Sequence, residues 1–215
     1  MNVKAQEGLW LLMAIVAATA MLCTAILDTP RLLADENGAG QTQVFGLTGR
    51  GSRFVYVFDR SLSMKGAALA AAKRELLASL ARLERTHQFQ IIFYNEKPRM
   101  MQPQQMFFAD ESGQAQAASF VASIAAAGGT DHLLALQLAL RLEPDVIFLL
   151  TDADQPPLSN KQLSEIRRRN GATTINVIEF KSGPTGSKGN FLQQLAEENR
   201  GQYKAVDSTA LSAER

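Results

Sequence analysis

Three short segments of this 215-residue chain carry oxygen donors in patterns that suit a small, hard divalent cation. Asp59-Arg60-Ser61-Leu62-Ser63 closes one apolar run, Leu149-Leu150-Thr151-Asp152 closes another, and Gly128-Gly129-Thr130-Asp131 leads into a leucine-dense stretch. Carboxylates and hydroxyls are the ligands that Mg2+ or Mn2+ prefers, whereas zinc favours sulfur and imidazole, and this chain has one Cys and two His. Three neutral hydroxyls, from Ser61, Ser63 and Thr130, with at most one directly bound carboxylate from Asp59 or Asp152, would leave a dication under-neutralised and ready for a further anion. The alternative is structural: Asp59 and Thr130 cap loops and helices while the two serines bond the turn.

These donors need a scaffold that brings distant segments together. Phe54 to Phe58 is a continuous β-prone run, as in a strand buried on both faces. From Gly66 to Leu83, apolar residues at spacings of three and four predict an amphipathic helix. The pattern predicts strands over 89–94, 106–108, 145–150, 173–180 and 201–206, and helices over 114–127, 132–142, 159–170 and 190–200. Strands alternating with helices imply an α/β, Rossmann-like, mostly parallel central sheet with helices on both faces, whose ligands bind at the carboxyl ends of the strands. All three donor segments fall at or beside such ends.

The N-terminal part differs from the rest. Residues 8–27 carry no charge, and twenty helical residues span about 30 Å, the thickness of a bilayer's hydrocarbon core, so this run is expected to be a transmembrane signal anchor. Trp10 suits one interface and Asp28, Pro30 and Arg31 end the run at the other. A cleaved secretory signal is the rival, because Ala18 and Ala20 form an A-x-A-like pair. Lys4 before the run, with Asp28, Asp35 and Glu36 after it, places the following domain outside the cytosol, in a periplasmic or extracellular position. The expected division is a short tail (1–7), the anchor (8–27), a flexible linker (28–51), the α/β domain (52–207) and a C-terminal tail (208–215).

Composition limits partners. A net charge of +1 offers no basic field for nucleic acid, and Cys23 alone cannot form an intrachain disulfide. Gly183 to Gly189 sits where a phosphate-binding loop would, but Lys188 lies between Ser187 and Gly189 rather than in a Gly-Lys-Ser/Thr sequence, so no nucleotide is expected. His132 is close enough to Thr130 to be considered as a ligand, although a helix-surface or hydrogen-bonded histidine is commoner; His87 reads as a loop residue, and Arg167 to Arg169 as a solvated helix end. Asp131 either tunes the site or caps the next helix, and Asp154 adds a nearby carboxylate.

From about Arg53 to Val206 the chain resembles the von Willebrand factor type A family, whose metal ion-dependent adhesion site (MIDAS) has the pattern D-x-S-x-S, a distant Thr and a distant Asp. Matched position by position, the resemblance implies metal ligands Asp59, Ser61, Ser63, Thr130 and Asp152, with Mg2+ or Mn2+ as the ion. Leu62 stands where the family often has Gly, and Ala153 where Gly often follows the last Asp, so the rim differs while the donors remain. The resemblance further implies a binding module without catalysis, recognising an acidic side chain of a protein partner, for which a glycan or phosphate could substitute. Two other functions compete: a phosphatase-like metal hydrolase, which lacks its second acid because Ser61 occupies that place, and a scaffold whose metal site is vestigial.

Overall fold

In the computed structural model, residues 39–152, 156–181 and 190–209 are described. The predicted anchor, the Gly183–Gly189 loop, Ala153 and Asp154 lie outside the described residues, as does the tail from residue 210. Among the described residues no helix is long and apolar enough to cross a membrane.

The strands are β1 (Gly40–Val44), β2 (Leu47–Gly51), β3 (Arg53–Asp59), β4 (Gln88–Tyr94), β5 (Arg99–Met100), β6 (Phe107–Phe108), β7 (Val146–Thr151), β8 (Thr174–Lys181) and β9 (Tyr203–Asp207). The helices are α1 (Ala67–Leu80), α2 (Glu111–Ala122), α3 (His132–Leu140), α4 (Asn160–Arg169) and α5 (Phe191–Glu198). The main sheet runs β5-β4-β3-β7-β8-β9, with β6 also paired to β4. β4, β3, β7, β8 and β9 are parallel, and only the short β5 and β6 pair antiparallel with β4. The predicted α/β sheet with helices on both faces is therefore present.

Strand alternation sorts the core into two layers. Phe54, Tyr56 and Phe58 pack with Leu76 and Leu80 of α1 and Ala117 and Val121 of α2. Val55 and Val57 point the other way, into Ala135, Leu136 and Ala139 of α3, Leu163 and Ile166 of α4, and Leu192 and Leu195 of α5. Because β3 is flanked by β4 on one side and β7 on the other, the chain reverses its direction of winding there. That topological switch opens a crevice at the carboxyl ends of β3 and β7.

Several boundaries moved for identifiable reasons. α2 begins at Glu111 rather than 114, because the Asp110 carboxylate accepts the Gly113 N–H at 2.8 Å and so caps the helix earlier. It ends at Ala122, after which the chain is drawn toward the donor loops. α4 starts where expected, closed by a capping box between Ser159 and Gln162. The two-residue β5 has too short a pattern to be read from sequence.

Residues 40–51, expected as part of a flexible linker, form a hairpin instead. Its turn, Phe45-Gly46, has φ of 47° and 78°, the positive values that suit a two-residue turn between right-twisted strands. Thr42, Val44, Leu47, Gly49 and Gly51 are buried and alternate with more exposed neighbours, a pattern hidden by the stretch's polar and glycine-rich composition. Thr42 Oγ1 donates to the Ser79 carbonyl at 2.8 Å, the Phe45 N–H donates to Glu75 at 2.8 Å, and the Lys204 ammonium donates to the Phe45 carbonyl at 2.7 Å. A Cβ on Gly49 would lie 2.8 Å from Phe148 and Val146, so glycine lets the hairpin lie directly on β7. His87, expected as a loop residue, is 3% exposed beside this hairpin and accepts the Glu84 N–H on Nδ1 at 3.0 Å.

The hairpin thus covers sheet surface that would otherwise meet water. Deleting residues 40–51 from the full chain should remove the burial of Val44 and Leu47, about 1.5–3 kcal/mol each, and lower the thermal unfolding midpoint by roughly 10 °C. A deletion that leaves the midpoint unchanged would show the segment to be a tether after all.

Candidate functional site

Asp59 is the last residue of β3 and is fully buried. Its Oδ1 accepts the Ser61 N–H at 2.7 Å, and its Oδ2 accepts the Thr151 hydroxyl, from the last residue of β7, at 2.7 Å. Ser61 Oγ lies 3.0 Å from Ser63 Oγ, and Ser63 Oγ donates to Asp152 Oδ1 at 2.9 Å. Four of the five predicted donors, Asp59, Ser61, Ser63 and Asp152, are thus brought into one hydrogen-bonded cluster across the crevice.

Thr130 comes from a loop that is tied to this cluster through its backbone. Leu62 N–H donates to the Gly128 carbonyl at 3.0 Å, and Ala127 N–H to the Arg60 carbonyl at 2.8 Å. Asn95, just past β4, clamps the same loop: its Nδ2 donates to the Ala127 carbonyl at 2.7 Å, and its own carbonyl accepts the Asp131 N–H at 3.2 Å. Glu96 Oε1 accepts the Gly129 N–H at 2.8 Å. Gly128 has φ of +73°, a conformation that favours glycine, and a Cβ there would press on the ends of the Asn95 and Glu96 side chains at 2.8 Å. Thr130 lines a 390 Å3 cleft with Glu96, Asp131, Leu133 and Leu158.

Asp131 and His132 have roles that bear on this loop. Asp131 Oδ1 accepts the Leu134 N–H at 3.0 Å and caps α3, the simpler of its two expected roles. His132, 1% exposed, turns inward; its Nδ1 lies 2.9 Å from the Tyr94 hydroxyl, and its ring packs 5.4 Å from that of Phe191. The Tyr94 hydroxyl also lies near that of Thr151, the residue that bonds Asp59. His132, Tyr94 and Thr151 therefore form a buried polar relay of neighbouring side chains between the start of α3 and the carboxylate. Sequence reasoning placed Thr151 at the strand end without giving it a role, and missed Tyr94, Asn95 and Glu96; the clue was that these three close or follow a buried strand, where such sheets place functional groups.

Electrostatics marks the cluster as unusual. Burial raises the Asp59 carboxyl to about 6, against the hydrogen bonds from Thr151 and Ser61, and the Asp152 charge pushes it further up. Burial also raises Asp152. Among the described residues neither acid takes part in an ion pair. Arg60, the nearest cation in sequence, sends its guanidinium to the Ala125 carbonyl at 3.3 Å and to Asn95 Oδ1 at 3.2 Å. No group of three or more His, Cys, Asp or Glu able to hold a metal occurs among the described residues, so a cation here would depend on hydroxyls. A separate cavity of 730 Å3, between β5 and α2, is lined by Met100, Met101, Phe120 and several glutamines and has no carboxylate.

Residues 52–205 match the family described as von Willebrand factor type A domain. Among solved structures, a von Willebrand factor type A protein from Catenulispora acidiphila superposes with a TM-score of 0.66 at 20% identity, covering 81% of this chain and 46% of that one. Proximal thread matrix protein 1 from the mussel byssus gives a TM-score of 0.53 at 20% identity, covering 75% of this chain and 43% of its own length. A form of the same mussel protein described as having a zinc-occupied MIDAS motif gives 0.52 at 20% identity, with coverages of 75% and 43%. The chain spans less than half the length of each of these structures, and identities at this level show the shared fold. No curated protein matches the chain.

The buried charge has a measurable cost. An acid whose folded value, about 6, exceeds its unfolded value, 3.8, binds more protons when folded; stability then rises as pH falls from about 6 to 4 and is forfeited above about 6. In chelator at pH 7.5, Asp59→Asn should raise the unfolding midpoint by roughly 3–8 °C, reflecting on the order of 1–3 kcal/mol, and the gain should vanish by about pH 4.5. A lower midpoint at pH 7.5 would mean that the carboxylate is already neutralised by the protein.

Proposed function

The chain belongs to the von Willebrand factor type A family, and on that premise we propose that it is a binding module which holds a divalent cation, Mg2+ or Mn2+, with Asp59, Ser61, Ser63, Thr130 and Asp152. The supporting observation is the buried Asp59 carboxylate, in no ion pair among the described residues, hydrogen-bonded to Thr151 and Ser61 and linked through Ser61 and Ser63 to Asp152. The donor set fits such an ion: hydroxyl oxygens with at most one directly bound carboxylate give a hard ligand shell that leaves positive charge for a further anion, and the adjoining Thr130 loop is anchored beside the crevice. In the mussel-byssus structure the ion named is zinc; here the oxygen-only donors favour a harder cation.

A cation so bound supplies Lewis acidity toward an incoming anion. The chain's own residues fix where that anion docks: Asp59 and Ser61 are buried, Thr130 and Asp152 half-buried and Ser63 exposed, so the outward side is left to the partner. We read that partner as a protein presenting an acidic side chain, and the reaction as complex assembly without turnover, since Ser61 occupies the place where a hydrolase of this layout carries its acid. The apolar run at 8–27 supports attachment to a membrane, with the domain outside the cytosol.

Two outcomes follow. Cross-linking the full chain in its native membranes should capture a protein partner in Mg2+ and lose it in chelator, and Asp59→Ala and Thr130→Ala should lose it in either buffer while the chain remains folded. Mg2+-dependent phosphatase or ATPase turnover that disappears in Asp59→Ala would instead establish the enzyme. Removing the relay hydroxyl by Tyr94→Phe keeps the ring packing, and should weaken Mg2+ about tenfold, read as a smaller Mg2+-induced rise in the unfolding midpoint. An unchanged Mg2+ response would show the relay to be packing only.

A further inference from the structure

Large apolar side chains are largely hidden among the described residues; the most exposed are Leu62 at 60%, Phe108 at 54% and Leu134 at 38%. Two of these three belong to the segments that carry hydroxyl donors. Leu62 stands between Ser61 and Ser63, and Leu134 lies in the first turn of α3, four residues after Thr130. Phe108 sits apart, on the two-residue strand at the sheet edge.

Leu62 is outward by construction. It opens a 3-10 turn, Leu62–Met64, in which Met64 is fully buried, so the turn's phase sends Leu62 to the opposite side. Its N–H donates to the Gly128 carbonyl at 3.0 Å and its carbonyl accepts the Lys65 N–H at 3.1 Å, so the backbone that carries the side chain is held at both polar groups. Ser61, its neighbour, is 2% exposed and faces inward. A rigidly mounted aliphatic group beside a charged, water-attracting crevice gains nothing from solvent, and loses little entropy when covered.

Resting on the metal-mediated reading above, we propose that Leu62 is a specificity-determining residue: the partner's acidic side chain is accompanied by an aliphatic group that packs on Leu62 as the carboxylate reaches the cation. The ligand class is thus an acidic residue with an aliphatic neighbour, rather than an acidic residue in a polar surround.

Two small carboxylic acids serve as probes of the full chain loaded with Mn2+: acetate, which presents the carboxylate alone, and 4-methylpentanoate, which adds an aliphatic tail. Each is titrated while the water-proton relaxation of bound Mn2+ is followed, and the 13C-methyl resonance of Leu62 is followed in a parallel sample loaded with diamagnetic Mg2+. 4-Methylpentanoate should bind at least about fourfold more tightly than acetate, the factor that one buried methylene supplies, and should shift the Leu62 methyl signal. In Leu62→Gly and in Leu62→Gln, which retains a Cβ to support the turn, the ratio between the two acids should fall to one. Equal binding of the two acids in the unaltered chain, or a preference that survives both substitutions, overturns the proposal while leaving the metal site standing. A chain that takes up no Mn2+ overturns the metal reading and this rim together.

Discussion

A carboxylate at the end of a buried central strand, with no ion-pair partner among the described residues, is the constraint around which the site is arranged. Asp59 is fully buried at the point where the sheet's winding reverses, and what reaches it among the described residues is hydrogen bonds from Ser61 and Thr151. Such bonds lessen the cost of burying charge without cancelling it, and the carboxyl is consequently raised to about 6. A protein selected for stability alone would place an apolar or neutral residue there; retention of the acid, with Asp152 across the crevice, is what directs the functional reading toward a positively charged ligand.

The positioning of the other donors follows from the same place in the fold. β3 and β7 are adjacent and in register, Phe58 opposite Leu150, so Asp59 and Thr151 arrive side by side without any special device. The Thr130 loop has no such guarantee, since it connects two helices. It is held instead by the Leu62 and Ala127 amides, by Asn95 and by Glu96, with Gly128 allowing the close approach. His132 and Tyr94 then couple the start of α3 to Thr151 beneath the site. Groups of this kind do not touch a ligand, yet they fix the spacing on which multidentate binding depends.

Much of this was legible in the sequence. The runs Phe54–Phe58 and Asp145–Leu150 have the continuous apolar character of strands covered on both faces, and D-x-S-x-S at the end of one and Thr-Asp at the end of the other located the crevice. The hairpin was not legible, because two thirds of residues 40–51 are Gly, Thr or Gln; its burial comes from contact with α1, β7 and β8, which local composition does not encode. Nor was the inward turn of His132, which depends on Tyr94 lying 38 positions away in sequence. The supporting residues escaped for the same reason: Asn95 and Glu96 act through backbone groups of a loop far along the chain, and no spacing rule connects them.

The most direct test of the central claim is calorimetric titration of the metal-free full chain with MnCl2 at pH 7.5, with Asp59→Ala beside it. The account requires uptake of one Mn2+ per chain, weakened as pH falls below about 6 where the Asp59 carboxyl takes up its proton, and absent from the substituted chain. No uptake by the unaltered chain, or equal uptake by both, would contradict it.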